Sequence, residues 1–272
     1  MKQVDPYADP FGSVLLWSDT AITTLQDGLL SRGIHVNTGQ WQSQSHVEAT
    51  KTIELPFVDI YYDVPELVTL LQFQVKPNLP WAEEHFQERV SGIPHNPPPS
   101  HVRWPFNRNA NDEHMAQGKF SHTYPERLWA GGEGGTCMDE GVGAEYFATL
   151  LDLVALLRRE PMTRQAFIPI WWPVDGARAG KERVPCTIGY HFMIRYDMLH
   201  CHYYMRSCDL MRHLSDDLYM AARLMQWLCD ALSDNHPHDL IPGTLKMAIS
   251  SLHIFEADVQ VIKFQRAQAR HG

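Results

Sequence analysis

Little in these 272 residues points to a membrane, a nucleic-acid polymer or a disulfide framework. No apolar run approaches the roughly 18 to 20 residues that a membrane span needs. The opening MKQVDPYADP also lacks the apolar centre of a signal peptide, so the expectation is a cytoplasmic protein. Cationic side chains are scarce: 23 Lys and Arg stand against 32 Asp and Glu, for a formal charge of -9. A chain so poor in positive charge has no basic face to neutralise a DNA or RNA backbone, which excludes a nucleic-acid polymer as partner. The five cysteines, Cys137, Cys186, Cys201, Cys208 and Cys229, are odd in number and form no C-x-x-C pair. That pattern argues against a disulfide scaffold or a zinc knuckle and leaves a thiol free for chemistry. Metal ligands are thin too. His200, Cys201 and His202, or His236 and His238, offer nitrogen and sulfur, but His200 and His202 share one strand face with no third partner, so no metal is expected.

Repeats and low-complexity tracts are also missing. The glycine-rich AGGEGGTCMDEGVG at 130–143 lacks the Lys-Ser/Thr ending of a P-loop and reads as a flexible surface loop, as does IPHNPPPSH at 93–101. What is present is an ordinary globular composition, 44% hydrophobic and 20% charged, long enough for one large domain over 1–272.

From Ala144 the residues Phe147, Leu150, Leu151, Val154 and Leu157 recur at helical spacing; Arg158 and Arg159 occupy the last turn and Pro161 stops the run. QAFIPIWW then predicts a buried strand. Two alternating runs, CTIGYHFMIR and LHCHYYMR, predict a β-hairpin turning at Tyr196-Asp197. After Ser215, the residues Ala221, Leu224, Met225 and Leu228 fall on one face of a second helix, with Asp216 and Asp217 in its first turn. Helices and strands alternate without the βαβ rhythm of a doubly wound sheet. The expected fold class is therefore α/β of the α+β type, a mixed sheet with helices packed on it.

The hairpin carries the chemistry. If it turns near Tyr196, Cys186 faces Arg206, and a neighbouring guanidinium favours a thiolate, the nucleophilic form. By strand alternation Tyr190, His202 and Tyr204 are expected on that same face, a ligand-lining mixture of polar and apolar groups. A cysteine between Pro and Thr in a strand is also commonly core filler.

From Pro161 to Leu218 the chain resembles the thymidylate synthase superfamily, through TRQAFIPIW, VPCT, YMRSCD and LSDDL in order. SHTYPERLW at 121–129 and SSLHIF at 250–255 extend the likeness, which covers roughly 120 to 256. The resemblance implies a thymidylate synthase-like single domain and a homodimer with shared active sites. It implies Cys186 as nucleophile at C6 of a pyrimidine nucleoside monophosphate, Arg206 and Ser207 as phosphate ligands, and Asp209 and Tyr124 as supports of the ring. Arg164 matches a phosphate-binding arginine donated by the second subunit, and His253 a sugar-binding residue. Upstream, WAEEHFQERVSG resembles the helix with the catalytic glutamate, which makes Glu84 the first candidate and Glu83 the second. There are departures: Gln165 and Asn37 stand where arginines are usual, and Phe255 replaces a sugar-binding tyrosine.

Asp217 is the informative difference. The synthases place an asparagine there, suited to uracil, whereas the relatives that act on cytosine place an aspartate, which accepts from the N4 amino group. Thr187 and Met205 also resemble the deoxycytidylate hydroxymethylase branch. The alternative for Asp217 is a helix-start charge, a part that Asp216 can also play. The implied reaction is C5-hydroxymethylation of CMP or dCMP with 5,10-methylenetetrahydrofolate as co-substrate. In it a water, activated by Glu84 or an ordered water network, adds where a synthase would deliver hydride. Only 19 residues follow His253, a short tail that implies a site open to water. A pyrimidine C5-methylase and a non-catalytic nucleotide-binding relative stand as alternatives, and ribose against deoxyribose is open.

Overall fold

The computed structural model describes residues 13–37, 51–105, 115–129, 149–179, 183–233 and 240–269. The glycine-rich loop, Cys137, Phe147, His236 and His238 lie outside them. In chain order the elements are β1 (Ser13–Leu16), α1 (Ala21–Arg32), β2 (Ile34–Asn37), β3 (Lys51–Asp63), α2 (Val68–Val75) and α3 (Trp81–Arg89). A 3-10 turn (Pro99–Arg103), β4 (Met115–Ala116), β5 (Lys119–Phe120), α4 (Tyr124–Leu128), α5 (Leu150–Arg159), β6 (Phe167–Pro169) and α6 (Pro173–Arg178) follow. The chain continues through β7 (Thr187–Arg195), β8 (Met198–Met205), β9 (Cys208–Asp209), α7 (Leu214–Ser233), β10 (Ile241–Phe255) and α8 (Asp258–Ala269).

The result is a mixed sheet with packed helices, the expected class. Its path runs β1-β3-β10-β8-β7-β6, with β2 beside β3 and β9 beside β10. β10 lies parallel to β8 and antiparallel to β3, so both kinds of ladder meet on one strand. The core sits between this sheet and α7, a helix apolar around most of its girth, whose Leu218, Ala222, Met225 and Leu228 are fully buried. α7 packs on β8 and β10 and is flanked by α2, α3 and α5. No helix among the described residues is long and apolar enough to cross a membrane.

α5 begins at Leu150, where Thr149 and Asp152 form a capping box; 144–148 lie outside the described residues. The strand expected over QAFIPIWW is shorter, Phe167–Pro169 only. Pro169 cannot donate to a ladder, and Ile170 and Trp171 both donate to the Ile188 carbonyl instead, which ends the pairing before Pro173 starts α6.

The hairpin turns as expected, with Tyr196 and Asp197 both at positive φ, 54° and 56°. Its register holds to Gly189 opposite Tyr204, then shifts so that Thr187 faces Met205. This irregularity corrects the expected face. One extra residue inverts the alternation beyond it. Tyr190 therefore turns inward and stacks on Tyr203, ring centroids 4.4 Å apart, while His202 and Tyr204 stack on each other on the opposite face at 3.9 Å. Gly189 sits at the shift because a Cβ there would lie 2.7 Å from the Ile168 carbonyl oxygen and 2.5 Å from the Phe167 ring.

Candidate active site

Beyond the register shift, β7 delivers Cys186 beside the end of β8, where the Arg206 amide donates to the Cys186 carbonyl at 2.9 Å. The Arg206 guanidinium is pinned by two carbonyls, Nε to Pro185 at 2.8 Å and Nη2 to Val184 at 3.1 Å. That grip directs Nη2 to 3.7 Å and the Ser207 hydroxyl to 3.5 Å from the Cys186 sulfur. A half-buried thiol thus has two donors within reach of its sulfur. Cys201, Cys208 and Cys229 are buried, and burial pushes all three thiols up, Cys229 to about 12.

Cys186 opens into a cavity whose lining includes Tyr124, Ser207, Asp209 and Asp217. The Tyr124 hydroxyl shares a hydrogen bond of 2.9 Å with Thr187, which continues at 2.8 Å to Tyr203. Burial raises the Tyr124 phenol well above its usual range, so it stays neutral. Asp209 is engaged by the loop that follows it. Its Oδ1 accepts from the Met211 and Arg212 amides, and its Oδ2 accepts from the Arg212 guanidinium at 2.9 Å.

The two first-turn carboxylates of α7 differ. Asp216 accepts from the amide and the side chain of Asn78, both at 2.8 Å, which ties α7 to the start of α3. Asp217 is 9% exposed and faces the cavity, with the Cys208 thiol at 3.8 Å as its side-chain hydrogen-bond contact. Burial pushes it up to about 7, with Arg89 pulling in the opposite direction.

Four expected site residues lie elsewhere. Glu84 pairs with Arg103 at 2.8 Å, half-exposed on the outer side of α3. Glu83 is held against α7 by Arg223 and the Tyr219 hydroxyl. Helical spacing is the reason: the cavity-facing stripe of α3 is Trp81, His85 and Arg89, one turn apart, which aims 83 and 84 away. His253 is on β10, opposite Glu54 and beside Asp209, outside the cavity lining. Arg164 is exposed before β6, its carbonyl accepting from His191 at 3.0 Å, and it does not reach its own chain's cavity.

The sequence reading missed the far wall. Trp81 stacks on His85 with ring centroids 5.2 Å apart, and Trp104 stacks on His213 at 5.0 Å. Burial pushes His85 and His213 down to about 4 and, with Arg183, Arg127 and Arg206 nearby, His122 to about 3, so all three are neutral at pH 7. The signal was the buried stripe Trp81, Ala82, His85, Phe86, Arg89, in which polar residues occupy an apolar face. Among the described residues no three His, Cys, Asp or Glu side chains are grouped to hold a metal.

His85 has a fixed tautomer. Its Nδ1 is 3.2 Å from both the Glu88 carboxylate and the Ser100 hydroxyl, and that hydroxyl donates to Glu88 at 2.6 Å. Burial pushes Glu88 up, but the hydrogen bonds from His85 and Ser100 bring it below the usual carboxylate range. An ionised carboxylate only accepts, so Nδ1 carries the proton and Nε2 the lone pair.

Residues 106–271 match the family model for thymidylate synthase. The chain is 27% identical over 130 residues to a bifunctional dihydrofolate reductase-thymidylate synthase of Glycine max, covering 48% of this chain and 23% of that protein. It is 28% identical over 141 residues to a protein of Methanococcoides burtonii named as a thymidylate synthase, covering 51% of this chain and 55% of the relative. The chain thus spans about half or less of the length of these relatives.

Proposed function

Because the chain belongs to the thymidylate synthase family, we propose that it transfers a one-carbon unit to C5 of a pyrimidine nucleoside monophosphate, and that its product is the 5-hydroxymethyl derivative of a cytidylate, CMP or dCMP. The observation that carries this reading is the Cys186 thiol, with donors from Arg206 and Ser207, sharing one cavity with the buried carboxyl of Asp217.

Cys186 adds to C6 of the ring, which makes C5 a nucleophile. The co-substrate, 5,10-methylenetetrahydrofolate, supplies the carbon that C5 attacks. The cavity suits such a flat heteroaromatic: Trp81, Trp104 and Phe120 wall it, and the Trp81 Nε1 is a buried donor without a partner among the described residues. The C5 proton and tetrahydrofolate then depart, leaving an exocyclic methylene on the ring. Since Glu84 faces outward, we assign the next step to His85. Its Nε2 takes a proton from water as the water oxygen bonds the methylene carbon, and the returning electron pair reforms C5=C6 and expels the Cys186 thiolate. Arg206 and Ser207 hold the phosphate. Arg164, remote from its own cavity, serves that of a second subunit, which makes the enzyme a homodimer.

The names of both relatives favour a second reading, C5-methylation. One assay separates them. The protein is incubated with methylenetetrahydrofolate and each of CMP, dCMP, UMP and dUMP, and C5-proton release, dihydrofolate and product mass are followed. Hydroxymethylation releases the proton from a cytosine nucleotide, adds 30 mass units (CH2O, about 30 Da) and leaves tetrahydrofolate; methylation accumulates dihydrofolate instead.

A further inference from the structure

We infer that Arg89 is a base-contacting, specificity-determining residue whose guanidinium, with the Asp217 carboxylate, reads the hydrogen-bonding edge of a cytosine ring held against Cys186. The inference rests on the proposed function and adds to it the residue that makes Asp217 selective.

Arg89 ends α3 and is only 6% exposed. Trp129 fixes its backbone by donating to its carbonyl at 2.8 Å. The guanidinium lies 4.0 Å from the centroid of the Tyr124 ring and lines the cavity with Cys186 and Asp217. It makes no hydrogen bond or ion pair with any described side chain, and its Nε is buried without an acceptor. Buried arginines used for structure look different in this protein. Arg127, 4% exposed, has the Asp175 carboxylate at 2.8 Å as well as the Trp172 ring at 3.9 Å. Arg223 has Glu83 at 3.0 Å. Protein interiors seldom leave a buried cation without acceptors, and a set of donors left open onto a cavity awaits a ligand that accepts.

The ligand group follows from the neighbours. Cytosine presents an amino donor at N4 next to acceptors at N3 and O2; uracil presents an acceptor at O4, a donor at N3 and an acceptor at O2. A carboxylate beside a guanidinium is an acceptor beside a donor. It accepts from N4 while the guanidinium donates to N3 or O2, whereas uracil would set O4 against the carboxylate and N3-H against the cation. Asp217 alone lacks this discrimination, because its protonated form can donate to O4 as well. Arg89 is the charge that favours the ionised form in a site where burial opposes it. The other groups around Asp217 do not supply that charge: Asp216 is on its own helix, Cys208 is on β9, and Tyr124 and Tyr203 are neutral phenols on α4 and β8.

The test measures dissociation constants of full-length wild type, Arg89→Met and Arg89→Lys for CMP, dCMP, UMP and dUMP by calorimetry, without folate, from pH 6 to 8.5. Wild type is expected to prefer the cytosine member of each pair. Arg89→Met, which keeps the stem but loses the donors, should reduce that preference at least about tenfold, and the remaining preference should vary across the pH range. Arg89→Lys, a point charge without the fork, should fall between the two. A folded Arg89→Met that keeps the wild-type ratio within about twofold, or weakens all four nucleotides equally, overturns the inference while leaving the function intact. If Arg89→Met does not fold, an Arg89→Lys with the wild-type ratio overturns it equally. A wild type that prefers uracil nucleotides overturns the cytidylate reading itself.

Discussion

Asp217 is a buried carboxyl on the wall of the cavity that Cys186 opens into. On the proposed function it accepts from the N4 amino group of cytosine, so Asp217→Asn should exchange the base. The amide donates to O4 and accepts from N3-H of uracil, and an unmatched buried polar pair costs about 1 to 3 kcal/mol. The cytosine-to-uracil ratio of kcat/KM should shift at least about tenfold toward uracil in competition assays on CMP against UMP and dCMP against dUMP. An unchanged ratio would return Asp217 to the status of a helix-start charge. Arg206 makes a separable claim. It reaches the Cys186 sulfur and on the proposed function also holds the phosphate, so Arg206→Ala should raise KM and lower kcat together. A change in KM alone would leave it a phosphate ligand only.

At the scale of elements, α4 and α6 are locked by the Arg127–Asp175 pair, in which Asp175 also accepts from the Trp172 amide. Asp175→Ala leaves a buried cation uncompensated and should cost about 3 to 5 kcal/mol in denaturant unfolding. A loss under about 1 kcal/mol would show that water or a neighbour replaces it. The same scale explains what was legible. The hairpin and α7 rest on alternation and helical period, local signals that survive into the fold, whereas Cys186 comes to Arg206 through the shift at Gly189, since the register of Tyr190 opposite Tyr203 would set it against Ser207. The shift at Gly189 left no such signal. It depends on the close approach of β6, a neighbour distant in sequence, and it sent Tyr190 to the face opposite His202 and Tyr204. α3 was misread for another reason. It lies before the stretch, 106–271, that matches the family model, and choosing a glutamate by likeness named Glu84, which pairs outward with Arg103, while the cavity-facing stripe carries His85 and Arg89.

Across the whole molecule, the cavity wall makes folding pH-dependent. His85, His122 and His213 have folded pKa values below the ordinary histidine range, so between about pH 4 and 6.5 the unfolded chain binds more of these protons than the native one. Their contribution is complete above about pH 6.5 and is lost as pH falls through that window. Asp217 runs the other way. Its raised pKa gives stability that is full below the ordinary carboxylate value and lost as pH rises toward about 7. Three histidines against this carboxyl leave a net fall of Tm on acidification from pH 7 to 4, and His213→Asn should flatten it. A Tm that rises over that interval would contradict the burial of these rings.

The central claim is that Cys186 forms the covalent bond to the pyrimidine. The direct measurement is tritium release from C5-labelled CMP and dCMP by wild type and Cys186→Ser, with nucleotide binding followed in parallel by calorimetry. Wild type should release tritium only with methylenetetrahydrofolate present, and Cys186→Ser should lose at least about a thousandfold of that rate while binding the nucleotide as before. A Cys186→Ser variant that retains the rate within about tenfold would contradict the claim.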